Sequence, residues 1–464
     1  MMSPRPFRHC IVLWLLLLRC TLIAAGPLIR RGAAKESRHA PQRNADLTSS
    51  EAEPSASTLY KSDAETKEAL ASRRLMEADC NTSLSKDVLR EYIASGIDLG
   101  ARFLVQSQRE AGNFRYEYNW QTKAESNDDN PVRQAGTLWG LSLLHLDGIA
   151  GSNGTAEQLL PAIRKGLKYF LQHSSVKSGG RRVVIYPGQA KQKTGVIALL
   201  ALTHIEVLRK PEKLEPAAIS ELQGHLDGYL NTILAAATKK YTFHAAYQEG
   251  GEAYGPASPY FDGECLLALI KAAKYLGRDD LWPQIKEFAD GGFKKNVKPG
   301  LMGKFEEKDV EKVLKRLKGY YQWGTMSWYE LFTSGKADYR KYAKRTLRYS
   351  GWLSQHLGEH RKANMGYAFE GVIPAFVTAV SMGSQSREKD LACKVREGVA
   401  GLLGMQVSHA LAEGLARRAP ASDARAVGGC QGSLDSSALR IDTTQHQLHA
   451  MLMARRLLEQ QELI

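Results

Sequence analysis

The sequence predicts an all-α fold, an (α/α)6 toroid in which about twelve helices form two concentric rings. Apolar residues recur at close to helical spacing through long segments, and the period-two alternation of strands is scarce. Successive segments also alternate in character. Odd ones are amphipathic and rich in Lys, Arg and Glu, as in Asp338-Tyr339-Arg340-Lys341-Tyr342-Ala343-Lys344-Arg345. Even ones are apolar on most faces, as in Gly195-Val196-Ile197-Ala198-Leu199-Leu200-Ala201-Leu202. A helix that is apolar all round is buried, and one with a charged face is peripheral. Six peripheral–buried pairs therefore describe an inner drum inside an outer ring.

The first pair is residues 85–109, where Leu89, Tyr92, Ile93, Ile97, Leu99 and Phe103 follow the helical repeat, and residues 132–146, opened by Pro131. The pairs continue with 160–172 and 194–208, 219–238 and 261–276, 282–295 and 322–332. They finish with 339–356 and 367–381, then 386–407 and 443–458. The period is irregular, roughly 45 to 75 residues, as in a helical array with variable loops. Long connections at 111–130, 173–193, 239–260 and 408–440 join a peripheral helix to its buried partner. Connections of that length are uncommon unless they are functional or disordered.

In an up-and-down ring all buried helices run the same way, so their first turns share one rim. Those starts are polar and aromatic: Asn130 to Gln134, Lys193-Thr194, Tyr260 to Glu264, Tyr321 to Trp323, Gly366 to Glu370, and Asp442 to His446. Their convergence predicts a binding mouth.

Ahead of the toroid, Arg5 and Arg8 precede an apolar run that ends at the small residues Ala24, Ala25 and Gly26. Residues 1–25 read as a secretory signal peptide. Arg19 interrupts the run, whose unbroken part is shorter than the ~20 residues of a spanning helix. An uncleaved signal-anchor is the alternative. Residues 26–80 carry balanced charge and no apolar periodicity, and are expected to be a disordered leader or stem. A targeting leader at 28–44 is opposed by the glutamates that follow it. Residues 81–464 form the toroid domain, large enough for a substantial core. No later stretch is long and apolar enough to span a membrane. The expected location is the secretory pathway, either secreted or in an endomembrane lumen.

The formal net charge is +14, three of it from the leader's arginines. The basic residues spread along helices and read as a solvated outer face, so no nucleic-acid partner is expected. An acidic substrate is compatible with them. Of the mature cysteines, Cys80, Cys265, Cys393 and Cys430, none forms a CxxC pair, which argues against structural zinc. One or two disulfides suit an oxidising lumen, with connectivity open. Cys265 and Cys393 sit among apolar residues and read as buried thiols. Asn81-Thr82-Ser83 and Asn153-Gly154-Thr155 are glycosylation sequons. No cofactor or metal is expected.

The catalytic candidates are Glu370, Tyr367, His446, Glu264 and Asp442. Glycoside cleavage needs two carboxyl groups ~5–9 Å apart. Epimerisation or elimination needs a base such as Tyr, His or Lys, and a cation facing the substrate's negative charge. Glu370 lies three residues after Tyr367 on an apolar helix, where desolvation would raise its pKa and suit a general acid. A salt bridge across the inner ring, to Arg133 for example, is the alternative. Glu264 is the analogous residue one turn into its own helix. Asp442, His446 and His449 stand at i, i+4 and i+7 and share one helical face. Asp442 either orients His446 as an acid or base or caps the helix. The histidines either act in the site or are packed and satisfied.

The binding candidates are Arg133, Asn130, Tyr116, Glu117, Trp120, Tyr254, Trp323, Arg440 and His449. Arg133, in an otherwise apolar segment, requires a substrate carboxylate or a structural partner. The aromatics are stacking platforms for sugar rings or part of the core. Gly136 is expected to permit close helix packing.

Gln106-Ser107-Gln108-Arg109-Glu110-Ala111-Gly112-Asn113-Phe114-Arg115-Tyr116, followed by Asn130-Pro131-Val132-Arg133-Gln134-Ala135-Gly136-Thr137, resembles the opening of (α/α)-toroid proteins of the six-hairpin glycosidase-like superfamily. The closing stretch from Arg440 to Ala450 fits the same architecture. The resemblance spans about residues 85–460 and bears on architecture more than on reaction. It implies glycoside hydrolase-like or uronyl epimerase/lyase-like acid/base chemistry on a glycan, and it carries over no catalytic residue. Terpenoid-cyclase and prenyltransferase-like toroids share the helix–loop rhythm, but their Asp-rich and zinc-ligand motifs are not evident here. Three readings stay open: a carbohydrate-active enzyme, a terpenoid-type ring, and a non-catalytic glycan- or protein-binding ring. The chemistry of the inner lining discriminates between them.

Overall fold

A computed structural model describes residues 67, 70–75, 78, 80, 84–148, 155–303, 306–360 and 364–459. The outer helices are α1 (Lys86–Gln106), α3 (Thr155–Gln172), α5 (Pro216–Ala235), α7 (Trp282–Gly292), α10 (Arg340–His360) and α12 (Gln385–Gly404). The inner helices are α2 (Pro131–Asp147), α4 (Thr194–Leu208), α6 (Pro259–Tyr275), α9 (Val310–Phe332), α11 (Met365–Ser381) and α13 (Ile441–Glu459). A π-helical turn, Phe293–Val297, leads from α7 into the short α8 (Lys298–Met302).

Each inner helix packs on the next in the order α2, α4, α6, α9, α11, α13, and α13 closes on α2. The chain is therefore an (α/α)6 toroid, as the alternating pattern predicts. Burial explains the partition. Every residue of α4 is buried, whereas the buried residues of α5 lie mainly in its second half.

The sequence-predicted helices differ from the observed ones chiefly at α9, which starts at Val310 rather than near residue 322. Its first turns carry Lys312, Lys315, Arg316 and Lys318, which suggest an outer helix. Val313 and Leu317 on the same turns are buried. The long connections also form short strands on the mouth side: β1 (Glu117–Asn119), β2 (Ala124–Glu125), β3 (Ser174–Lys177), β4 (Arg181–Val184), β5 (Gln192–Lys193), β6 (His244–Tyr247), β7 (Ala253–Ala257) and β8 (Ala438–Arg440). β1 pairs antiparallel with β8, setting Glu117 opposite Arg440, so the first and last connections are stitched together. β5 pairs with β6 and β6 with β7.

The signal-peptide segment, most of the expected leader, the first sequon and Asn153-Gly154 of the second lie outside the described residues. What is described of 26–80 differs from the expected disorder. Residues 70–75 are helical, Ala71 and Leu75 join the toroid's core, and Cys80 is disulfide-bonded to Cys393. Cys393 is thus not the buried thiol its apolar neighbours suggest, whereas Cys265 and Cys430 are buried and free. No described helix is long and apolar enough to cross a membrane.

At the end of the drum away from the mouth, the C-terminal turns of α4, α6 and α9 hold a buried ion cluster. Glu206 meets Arg209 at 2.6 Å and also Lys271; Glu330 meets Lys274 at 2.7 Å and the Tyr275 hydroxyl at 2.8 Å. Burial would raise both glutamates, but the facing cations outweigh it and hold each at about 2. Helix C-termini carry partial negative charge, so an excess of cations suits this end. The N-terminal ends of α2, α4, α6, α11 and α13 give the mouth the opposite bias.

Candidate active site

The first turns of α2, α4, α6, α11 and α13, with the middle of α9, surround a cavity of about 350 Å³. Arg133, Glu264, Trp323, Tyr367, Arg440, Asp442 and His446 all line it, together with Lys318 and Gln445. These predicted residues come from five of the six inner helices and from β8, and the fold brings them to one opening.

Behind this wall lies Glu370, on α11 and fully buried. Its Oε2 is 2.8 Å from His446 Nδ1 and also accepts from Gln322 Nε2; its Oε1 is 2.7 Å from His449 Nδ1. The two histidines are three residues apart on α13 and both reach across to α11. Gly366 makes that approach possible, because a Cβ there would overlap the backbone of His446 and Gln447.

Burial alone would raise the Glu370 pKa. The charges and hydrogen bonds of His446 and His449 outweigh it, so the net shift is downward and the carboxylate stays ionised. That corrects the expectation of a general acid at this position, and the partners are histidines rather than Arg133. An ionised carboxylate can only accept hydrogen bonds. Both histidines must then carry hydrogen on Nδ1, and the His446 ring lines the cavity with no hydrogen bond at its Nε2 among the described residues. Tyr367 packs edge-on against that ring at 4.9 Å.

Asp442 does not orient His446. Its Oδ1 accepts from Arg440 Nε at 3.0 Å and its Oδ2 from Arg440 Nη2 at 3.0 Å, and Arg133 Nε forms an ion pair with Oδ2 at 3.0 Å. One carboxylate thus holds two guanidinium groups at the rim, and its oxygens are occupied. His449 faces away from the mouth. It lines a second cavity of about 120 Å³ near the basal ion cluster and packs edge-on against Trp139 at 4.8 Å. Burial lowers its pKa against the opposing effect of Glu370, which favours the neutral ring.

Glu264 has a different environment. It is buried on α6, and its Oε2 has no hydrogen-bond partner among the described residues. Desolvation, uncompensated by any cation, raises its pKa to about 8, so it is mostly protonated at neutral pH. Gly195 on α4 makes room for it, since a Cβ there would overlap the carboxyl group and the Phe261 ring. In ring order α6 is third and α13 sixth, so Glu264 and His446 stand on opposite walls of the mouth.

Several candidates are not brought to the cavity wall. Asn130 caps α2, its Oδ1 accepting from the backbone of Val132 at 3.1 Å and Arg133 at 3.4 Å. Trp120 belongs to the core cluster. Tyr116 is buried with the Arg133 guanidinium 5.3 Å above its ring, and so supports that arginine from behind. Glu117 and Tyr254 are held in β1 and β7, away from the lining. Asp262 is likewise structural, accepting from Phe243 N and Asn296 Nδ2, each at 2.8 Å. Gly136 faces only ordinary contacts; Gly140, whose Cβ would overlap Gln445, is the position on α2 where the lack of a side chain matters.

Sequence reasoning placed Gln322 and Gln445 in the mouth segments without assigning them a role, and passed over Lys318. The one available signal is Gln322 itself, an amide set between aromatic residues on a buried helix, where a polar group requires a partner. Among the described residues, no group of three or more His, Cys, Asp or Glu side chains is placed to hold a metal ion.

No protein-family model matches the chain, and no curated protein matches it. Similar solved structures exist. A cellobiose 2-epimerase from Spirochaeta thermophila is 13% identical, with 81% of this chain and 97% of that one covered and a TM-score of 0.53. A D-mannose isomerase is 12% identical, with 80% and 99% covered and a TM-score of 0.53. An unsaturated glucuronyl hydrolase specific for heparin is 11% identical, with 78% and 96% covered and a TM-score of 0.50. At these identities the likeness is one of fold alone, an (α/α)6 toroid.

Proposed function

We propose that the protein is a carbohydrate-active enzyme that moves protons on a sugar, with His446 as the base and Glu264 as the acid. The observation that carries this reading is their placement. An imidazole with its Nε2 free, backed by an ionised carboxylate, faces a protonated, unpaired carboxyl group across one cavity. His446 Nε2 takes a proton from a sugar carbon next to a carbonyl. The C–H electron pair becomes the new C=C bond, and the carbonyl oxygen receives the Glu264 proton. Return of a proton to the opposite face, with the enol O–H proton passing back to Glu264 as the carbonyl re-forms, inverts that carbon; return to the former carbonyl carbon, with the proton of the other enediol hydroxyl passing to Glu264, isomerises the sugar. Glu370 supports the charge that His446 gains, a positioning role played through the imidazole.

The lining favours this over the other readings. Hydrolysis by paired carboxylates needs two that are free to act, yet Glu370 lies behind the wall and the oxygens of Asp442 are engaged by arginines. A terpenoid-type ring calls for an aromatic and apolar lining, whereas this one carries Arg133, Arg440, Lys318, Asp442, Glu264 and His446. We place the protein in the secretory pathway, with residues 1–25 as its signal peptide; the Cys80–Cys393 disulfide supports an oxidising compartment.

The test is turnover on a panel of reducing sugars, uronates and glucuronate-containing oligosaccharides. The wild type should convert at least one, and His446→Gln should lower the rate by about 100-fold or more. Conversion by neither protein, or equal conversion by both, would remove the proposal.

A further inference from the structure

Beside the mouth lies a third cavity, of about 380 Å³, lined by Asn130, Val132, Arg133, Lys191, Lys193, Ala245, Ala246 and Phe261. It shares Val132, Arg133 and Phe261 with the mouth cavity, so the two meet along the first turns of α2 and α6. No acidic side chain lines it. The nearby Asp129 is engaged by Gln134 at 2.7 Å and by the Tyr186 hydroxyl at 2.7 Å. Lys191 and Lys193 make no ion pair among the described residues, and Arg133 shares its one carboxylate, Asp442, with Arg440.

The mouth repeats the imbalance, since Lys318 and the two arginines face Asp442 alone while Glu264 is mostly protonated. Five cations thus line the joined cavities against one ion-paired carboxylate. A charge excess that the protein leaves open on a concave surface is suited to an anionic ligand. Aliphatic walls from Val132, Ala245 and Ala246 and the Phe261 ring suit the apolar face of a sugar.

We infer that this neighbouring cavity is an additional sugar-binding subsite, and that the natural substrate is a glycan bearing carboxylates on successive or alternate residues. One residue occupies the mouth, and a second carboxylate reaches Lys191 and Lys193. The inference rests on the reading of the mouth as a sugar site and extends it to the class of substrate.

The test is calorimetric binding to the full folded chain at low and high salt. The probes are glucuronate, tetrasaccharides alternating glucuronate with a neutral sugar, and cellotetraose as the uncharged control of equal length. The acidic tetrasaccharide should bind more tightly than cellotetraose, with the advantage shrinking as salt rises. Lys191→Ala/Lys193→Ala should weaken it by about tenfold, the order expected for two exposed charge contacts. Binding of glucuronate alone should change less than twofold, and Lys191→Arg/Lys193→Arg should keep wild-type affinity. Equal binding of cellotetraose, or an unchanged affinity in the alanine pair, overturns the subsite while leaving the proton-transfer reading standing. Failure of every sugar to bind the wild type counts against both.

Discussion

Glu370→Gln is expected to lower kcat by about 10²–10⁴-fold with little change in KM, because it alters the imidazole rather than the surface that meets the substrate. The glutamine keeps the size of the side chain but offers one acceptor and one donor where the carboxylate offered two acceptors. One of His446 and His449 must then present a bare Nδ1, and the tautomer that leaves His446 Nε2 free is no longer enforced. The imidazolium formed on taking a proton also loses the negative charge beside it. Effects of this size follow when the carboxylate behind a catalytic histidine is neutralised. Steady-state kinetics on any converted sugar, with circular dichroism to verify folding, measures the split. A parallel rise in KM, or a loss of kcat smaller than tenfold, would mean that the carboxylate only holds α11 to α13.

Glu264→Gln should remove a pH dependence of stability that the wild type carries. The side chain's pKa rises from 4.5 to about 8 on folding, so between those values the native state holds a proton that the unfolded chain has released. Stability contributed by this group is fully present below pH ~4.5 and is lost as pH rises through 8. The slope approaches about 1.4 kcal/mol per pH unit over that interval. Glutamine mimics the protonated carboxyl group and cannot ionise, so the variant should gain on the wild type steadily from pH 5 to 8. Asp262, raised to about 7 by burial against its hydrogen bonds, adds a similar slope to both proteins. The difference between them therefore isolates Glu264. Denaturant midpoints across pH 5–9 measure it; parallel curves would show that Glu264 is ionised in the folded protein and cannot serve as the acid.

The architecture was legible because it is written in burial. A helix such as α4, with no charged face from Thr194 to Val207 apart from Glu206, has nowhere to go but the drum. The location of the site followed from the same logic, since parallel inner helices present their starts together; α9 departs from it, reaching the mouth at Lys318 and Trp323 rather than at its start. The wiring was not legible. Asp442 and His446 are close in sequence and suggest a dyad, but the fold turns Asp442 to Arg133 and Arg440 and supplies Glu370 from another helix. Separations of 76 and 79 residues join Glu370 to its two histidines, and no local spacing signals such a contact. Trp120 and Tyr254 illustrate a second limit. Both sit in mouth-side connections, yet those connections fold into small hairpins whose pairing decides which side chains face inward. Cys393 lies among apolar residues, as a buried thiol would, and only its distant partner Cys80 distinguishes the two cases.

The role of His446 as the proton carrier on the sugar is tested most directly by solvent exchange. Wild type and His446→Gln are incubated in D2O with a sugar that the enzyme binds, and deuterium at the carbon next to the carbonyl is followed by NMR. The wild type should introduce deuterium at that carbon, and the variant should not do so above the uncatalysed rate. Deuterium uptake that persists unchanged in the variant, or conversion of the sugar through cleavage of a glycosidic bond with no exchange at carbon, would contradict the account.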